Sequence, residues 1–234
     1  MKTLENFPAT LAEPSMEPWA KALQRHRLGY PDTHIVRFLA SRAGTAQENR
    51  LRGIDVGFGS GQHLRTLAEF GYETWGTELL EGEVARLTEL AGEALHGGQL
   101  LAGHLHELPE LRGQFDVALA WGVAALNAPS QLNRWLTGFR DLLKPAGRAC
   151  LNFRGQDTWF HGLGRSVEPG CYLLDERAGP YANAVFTFLD EAGVRRAMAE
   201  AGFVIENLQR DDWWKNNLSE HHSWWIVWAR KADA

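Results

Sequence analysis

The sequence predicts an α/β fold, a doubly wound and mostly parallel sheet with helices on both faces. Two observations predict it. The stretch from Leu51 to Glu81 reads as strand, glycine turn, helix, turn and strand. From there to the end, short apolar runs of strand length alternate with segments whose apolar residues recur at helical spacing.

The elements follow in order. Residues 1–16 carry prolines and little periodicity, and read as a loose arm. Glu17 to Leu28 can form a short helix with Trp19, Ala22 and Leu23 on one face; Tyr30-Pro31 breaks it. Asp32 can cap a second helix carrying Ile35, Val36, Phe38 and Leu39. Ala43 to Asn49 is a polar linker into strand 1, whose apolar residues Ile54 and Val56 flank Asp55. Gly57, Gly59 and Gly61 follow, then a helix on Leu64, Leu67 and Ala68 that Gly71 stops, and a second strand, Tyr72 to Gly76, running toward Glu78. A helix over 81–96 precedes strand 3, Gln99 to Ala102; strand 4 is Phe115 to Trp121. Ser130 can cap the helix carrying Leu132, Trp135, Leu136, Phe139 and Leu143, and strand 5 is Ala149 to Phe153. A long connection to about Val185, a helix over Asp190 to Ala201, strand 6 over Phe203 to Leu208, and a final strand over Ser223 to Arg230 complete the chain. His221 and His222 precede that strand, and as neighbours they point to opposite faces, so they cannot chelate together.

Composition narrows the function classes. The chain has 234 residues, enough for one domain with a sizeable core. Its net charge of −5 argues against a broad nucleic-acid surface. Its start has no apolar signal region and no run approaches a membrane span, so the reading is cytoplasmic, with no membrane and no nucleic acid as partners. Of the two cysteines, Cys150 sits in a strand-like apolar run and reads as a buried thiol rather than half of a disulfide. The ten tryptophans are the one unusual feature, several of them late in the chain.

A glycine turn after a strand offers φ > 0 and close backbone approach to a ligand. A dinucleotide fingerprint would place its third small residue at position 62, which is Gln62. Asp55, two residues before the first glycine, suits a cationic group better than a phosphate. The run Ile54-Asp55-Val56-Gly57-Phe58-Gly59-Ser60-Gly61, with Glu78 ending strand 2, resembles the first motif of the class I S-adenosylmethionine-dependent methyltransferases. Leu108-Pro109 followed by Phe115-Asp116, and Leu142-Leu143-Lys144-Pro145-Ala146-Gly147-Arg148, are similar to that family's landmarks at strands 4 and 5. The resemblance covers roughly Leu51 to Phe153. It implies a Rossmann-like, seven-stranded sheet whose last strand is antiparallel between strands 5 and 6, which suits the continuous apolar character of the tryptophan-rich end. It also implies one domain over 1–234, with a helical cap over 17–44, a cofactor core over 51–153, an insert or lid over 154–188 and the end of the sheet over 189–234.

The resemblance assigns site residues. Gly57, Phe58, Gly59 and Gly61 would lie against the methionine part of S-adenosylmethionine, with Asp55 facing its ammonium; as an alternative, Asp55 caps the turn. Glu78 would hold the ribose hydroxyls, or is a surface acid, and Leu79 would pack on the adenine. Where the family commonly has an acid after strand 3, this chain has His104, which can accept from adenine through one nitrogen, with Leu105 adding a backbone contact. Trp121 and Gly122 would pass beneath the methyl donor, although Trp121 serves equally as core. The product would be S-adenosylhomocysteine.

The expected reaction is methyl transfer to an O or N atom of a small molecule, with a sugar or other polar biosynthetic intermediate as the candidate acceptor and alignment in a dry site as the main requirement. Substrate contacts are sought in the segments outside the core: Trp19, Arg27 and Tyr30 before it, and Arg154, Asp157, Trp159, Arg165 and Tyr172 after strand 5. His161 is the candidate base. His104 and His106 share a side but lack a third ligand, so no metal is expected. An NAD(P)-dependent oxidoreductase and a non-catalytic S-adenosylmethionine-binding module remain as alternatives. The chain is expected to be a monomer or a homodimer.

Overall fold

A computed structural model describes residues 17–25, 27–41 and 50–233. The proline-bearing arm over 1–16 and the linker over 43–49 lie outside the described residues. Strands β1 (Arg52–Val56), β2 (Glu73–Glu78), β3 (Leu100–Ala102), β4 (Phe115–Ala120) and β5 (Leu143–Gly155) pair in parallel, in the order 3-2-1-4-5. The chain reverses direction at β1, so β1 and β4 flank the switch point where such sheets take their ligands. β10 (Glu220–Lys231) is antiparallel to both β5 and β9 (Phe203–Lys215) and lies between them, as expected.

The insert departs from expectation. It is not an irregular connection but three further strands, β6 (Arg165–Glu168), β7 (Cys171–Leu173) and β8 (Val185–Leu189). β8 joins β5 in parallel, and β7 and β6 continue outward antiparallel, making a ten-stranded sheet from the expected seven. These strands are too short and glycine-broken to carry a readable period, and their pairing comes from β8. They enclose a small core of Phe160, Leu163, Leu174, Ala178, Ala184, Phe186 and Phe188.

Helices cover both faces. α2 (Thr33–Ala40) and α3 (Gln62–Glu69) bury Ile35, Phe38, Leu39 and Leu67 against one face, near Val117, Leu119, Cys150 and Ile226. α4 (Glu81–Ala91) packs beside α3 through Val84, Leu87 and Ala91. On the other face, α5 (Pro129–Asp141) and α6 (Glu191–Glu200) close the largest core. α5 buries Leu132, Leu136 and Phe139 at i, i+4 and i+7, each worth roughly 1.5–3 kcal/mol.

Local chemistry sets several ends. Asp32 caps α2 by accepting from the His34 N–H at 2.9 Å. Ser130 does not cap α5, whose N-cap is Ala128 followed by Pro129. The insert supplies the carboxylate instead: Glu168 accepts from the Ser130 N–H at 2.9 Å and its hydroxyl at 2.7 Å. α1 (Glu17–Arg25) ends three residues before the expected Leu28. His221 and His222 lie within β10 rather than before it, with His222 buried and His221 half-buried. Cys150 and Cys171 are both buried free thiols. No helix among the described residues is long and apolar enough to cross a membrane.

Candidate functional site

The glycine turn is pinned to the end of β2. The N–H groups of Gly57 and Phe58 both donate to the Thr77 carbonyl, at 2.7 and 3.3 Å, and Gly59 donates to the Glu78 carboxylate at 2.9 Å. Three of the amides expected to meet a ligand are thus engaged within the protein. Gly57 has φ +69°, and an added Cβ would stand 2.5 Å from the Val123 side chain. Glycine here lets the end of β4 close against the turn. Phe58 turns its ring into the core with Leu64, Leu95 and Leu100, so only its backbone borders the site. Gly61, at φ +86°, starts α3 close against Leu87.

Glu78 is buried, and its second oxygen accepts from the Leu79 and Leu80 amides at 2.7 and 3.3 Å. This carboxylate ties the strand end to the turn, and Oε2, which accepts from Gly59 alone, keeps a lone pair for a further donor. Leu79 is partly exposed beside it.

Asp55 is 1 % exposed, and its Oδ2 has no hydrogen-bond partner among the described residues. Burial, and secondly the charge of Glu78, raise its pKa well above the ordinary carboxylate value. Gln62, opening α3, also holds a buried Oε1 without a partner. Two buried acceptors without partners thus flank one turn, and a donating cation is the chemistry they lack. His63 does not fill it. Its Nε2 accepts from the Asp32 N–H at 3.2 Å, and its Nδ1 stays 3.9 Å from Asp55 Oδ2. Burial lowers its pKa to about 4, so it is neutral.

The other wall is the end of β4. Gly122, at φ +78°, donates to Asn152 Oδ1 of β5 at 2.6 Å. Trp121 stands between two imidazoles, stacked with His34 at 6.0 Å and edge-on to His63 at 6.3 Å. His34 Nε2 lies 3.4 Å from Asp211 Oδ2, while its Nδ1 is buried with no partner among the described residues. An imidazole held at Nε2 by a carboxylate keeps Nδ1 as an acceptor. The segment before α2 roofs the turn: Leu28 donates to Ser60 Oγ at 3.1 Å and Arg27 pairs with Glu83 at 3.1 Å.

Register places the remaining residues. Arg154 of β5 faces Trp224 of β10, which faces Asp211 of β9, and on its other side Arg154 pairs with Phe188 of β8. Directly opposed residues share a face, so these side chains form one row on the face that α2 covers. Arg154 is 7 % exposed, its guanidinium surrounded by the rings of Trp224 (4.2 Å), Phe186 (4.5 Å), Phe160 (4.7 Å) and Tyr181 (5.9 Å). Trp19 packs on Tyr181 and Phe186, joining α1 to this cluster. Trp159 stacks on Phe160, and its backbone N–H donates to the His221 carbonyl at 2.6 Å.

Other predicted residues fall elsewhere. Tyr30 is 90 % exposed. His161 is exposed and stands edge-on to Tyr172 and Phe188 of the insert. Arg165 is exposed, and Asp157 is held by Arg210 and by Ser223 at 3.1 Å. His104 caps a short 3-10 helix, its side chain accepting from the Glu107 N–H. Its other ring nitrogen then carries the proton. The His104 and His106 rings lie 5.3 Å apart with no third ligand beside them among the described residues. Asp157, Asp212 and His221 do approach one another, but Arg210 already bonds both acids. A cleft of about 250 Å³ lined by Arg52, Trp75, Gln99 and Phe115 lies toward the amino ends of the strands, away from the switch point.

The sequence reading missed His34, Asp211, Asn152, Gln62 and His63. Only the short spacing of Gln62 and His63 from the glycines could have flagged any of them.

Comparison with known proteins agrees with this geometry. Residues 54–147 match the family model described as a methyltransferase domain. No curated protein matches the sequence. Among solved structures, the fold is similar to Burkholderia thailandensis 1,6-didemethyltoxoflavin-N1-methyltransferase with 1,6-didemethyltoxoflavin and S-adenosylhomocysteine bound (TM-score 0.67, 22 % identity, 97 % of this chain and 94 % of that one). It is also similar to magnesium protoporphyrin IX methyltransferase from Synechocystis with S-adenosylmethionine bound (TM-score 0.61, 16 % identity, 97 % and 100 %), and to the cyclase SpnF (TM-score 0.62, 16 % identity, 94 % and 93 %). From Ile54 to Gly147 this chain matches the model of a methyltransferase domain, and its fold is the one these solved methyltransferases share.

Proposed function

We propose that the protein transfers a methyl group from S-adenosylmethionine to an O or N atom of a small molecule. The observation that carries the reading is the buried, unpartnered Asp55 carboxylate beside the glycine turn, at the switch point of the sheet. An ammonium supplies the donors that Asp55 Oδ2 and Gln62 Oε1 lack, Glu78 accepts from the ribose, and Leu79 covers the adenine. His104, with its acceptor nitrogen engaged by Glu107, presents a donor and so suits the ring nitrogen of adenine better than its amino group.

The bound cofactor supplies a methyl group on a sulfonium, open to displacement by an acceptor lone pair. The protein's own residues align the partners and exclude water. Trp121 and Gly122, fixed by Asn152, set the floor, and the segment carrying Leu28 closes the cofactor side. His34 is better placed than His161 to take a proton from the acceptor. It stacks on Trp121 and is oriented by Asp211, whereas His161 is exposed and packs on Tyr172 and Phe188 of the insert. A small acceptor agrees with a site walled by aromatic side chains and roofed by α1 and α2, and with the small molecule in the Burkholderia structure.

A second reading is kept because the similar fold of SpnF is named a cyclase, so the fold alone does not fix the reaction. Titration calorimetry with S-adenosylhomocysteine separates the cases. Micromolar binding that Glu78→Gln and Asp55→Asn each weaken supports the cofactor assignment, and methyl transfer to any of a panel of hydroxyl and amine acceptors completes it. Binding without turnover of any acceptor favours a non-catalytic module. No binding, with a thermal shift from NAD(H), would overturn the reading.

A further inference from the structure

An arginine buried to 7 % exposure is normally met by a carboxylate. Arg154 is not. Among the described residues no acid pairs with it and no acceptor takes its N–H groups. The acids nearest in sequence and register are engaged elsewhere: Asp157 by Arg210 and Ser223, Asp211 by His34. Four aromatic rings stabilise its charge through their faces, but ring faces leave the in-plane N–H edge of a guanidinium unsatisfied. None of its nitrogens is among the fully sealed polar atoms, so that edge opens onto accessible space. Burial lowers its pKa to about 10, and it remains cationic at neutral pH.

The position is as telling as the missing partner. Asp55 pairs in register with Leu119, and Leu119 with Cys150, so Asp55 shares the sheet face of Cys150, Asn152 and Arg154. Arg154 is four residues further along β5 and two strands across from β1. That separates the two Cα atoms by roughly 16 Å at ordinary strand spacings. Trp121 and the Asn152–Gly122 hydrogen bond lie between them. Asp55 therefore marks the cofactor end of one continuous face, and Arg154 marks its far end, beyond the place where the methyl group would be delivered.

We propose that Arg154 is the anchor for the acceptor, which is a planar small molecule bearing a carboxylate. The two oxygens of a carboxylate match the guanidinium fork. Its single negative charge neutralises the single buried cation, whereas a phosphate dianion would leave an uncompensated charge among the rings. Trp224, Tyr181 and Phe160 favour a flat body, which they can contact face or edge on. This inference rests on the methyltransferase reading for its substrate role, but the anion site itself does not require it.

The test uses the full chain labelled with 15N-arginine, titrated with benzoate, with benzamide and with phenyl phosphate, each with and without S-adenosylhomocysteine. The Arg154 Nε–H signal is identified by its loss in Arg154→Lys. Benzoate should shift that signal and bind about tenfold or more tightly than benzamide, the difference expected for a charge-assisted hydrogen-bonded pair. Arg154→Gln should abolish the preference while S-adenosylhomocysteine affinity stays within about twofold. Should Arg154→Gln not fold, the wild-type shift and the benzoate-to-benzamide ratio decide alone. Equal binding of benzoate and benzamide, an unmoved Arg154 signal, or a preference for phenyl phosphate over benzoate overturns the proposal. Failure of S-adenosylhomocysteine to bind, with benzoate still seated on Arg154, would sink the methyltransferase reading and leave the anion site standing.

Discussion

Asp55→Asn should make the apo protein more stable and the cofactor site nearly useless, two effects of opposite sign from one substitution. The stability half follows from proton linkage. Burial and the Glu78 charge hold the folded Asp55 pKa well above its unfolded value near 3.9. A raised carboxyl contributes stability that is fully present below the unfolded pKa and is lost as pH rises toward the folded one, about 1.4 kcal/mol for each unit of separation. Asparagine does not titrate, so that loss disappears. Its amide still leaves a polar atom unpaired in the same place, which limits the gain. About 1–3 kcal/mol at pH 7.5 is the expected net stabilisation, or about 3–10 °C in Tm for a chain of this size. The gap should close as pH falls toward 4.

The binding half follows from charge. A carboxylate that meets an ammonium contributes about 1.5–3 kcal/mol through a charge-assisted hydrogen bond, so S-adenosylhomocysteine should bind about 10- to 150-fold more weakly to Asp55→Asn. Calorimetry of the wild type should also show proton release as the ligand ionises Asp55, read as a dependence of the binding heat on buffer ionisation enthalpy. Thermal denaturation across pH 4–8.5 and these titrations form the assay. A variant less stable than wild type at pH 7.5, with ligand affinity within about twofold, would refute the reasoning and return Asp55 to a cap for its turn.

Further perturbations follow from the same site. Gly57→Ala combines a φ of +69° with a Cβ 2.5 Å from Val123, and should cost about 1–3 kcal/mol in urea denaturation while weakening S-adenosylhomocysteine binding; an unchanged midpoint would show that the turn and the β4 end are not in close contact. His63 resists protonation down to about pH 4, whereas its unfolded pKa is near 6.5, so native stability should fall by up to about 3 kcal/mol between pH 6.5 and 4. His63→Gln, which keeps an acceptor for the Asp32 N–H, should flatten that part of the profile, and an equally steep loss in the variant would assign it to other groups. Once an acceptor is found, His34→Gln should lower kcat by about 10²-fold or more with little change in cofactor affinity, and His161→Gln should not; the reverse pattern would restore His161 as the base.

The proposed cofactor half of the site was legible as a candidate because its residues are contiguous and its chemistry is periodic. Three glycines at alternate positions, an acid before them and an acid at the end of the next strand specify a turn whose geometry few other residues allow. Asp32 was legible as a cap for the same local reason. The acceptor half was not, because distance in sequence hides it. His34, Trp121 and Asp211 meet only after β9 and β10 have folded back along β5. The insert escaped because three- to five-residue strands carry no period of their own. At His104 type and place suggested an acceptor for the adenine amino group, while the backbone N–H three residues on takes that acceptor nitrogen for a helix cap.

Arg154 falls between these cases. Its position just beyond strand 5 flagged it, but nothing local distinguished it from Asp157 or Arg165 in the same segment. What separates them is register. β8 and β10 both pair with β5 at residue 154, so aromatic residues from either side are delivered to one guanidinium, while Asp157 lies past the end of β5 and Arg165 opens the outermost strand β6, and both stay exposed. No acid among the described residues is paired with this arginine. The chain instead surrounds the charge with rings that cannot neutralise it. The same pattern holds at the other end of the face, where Asp55 is buried without a cation. A buried acid and a buried cation, each short of its partner and set on one surface on either side of Trp121, are unfavourable in the empty protein. They are the arrangement expected if the ligands complete the electrostatics of the fold, the cofactor's ammonium at Asp55 and the acceptor's carboxylate at Arg154.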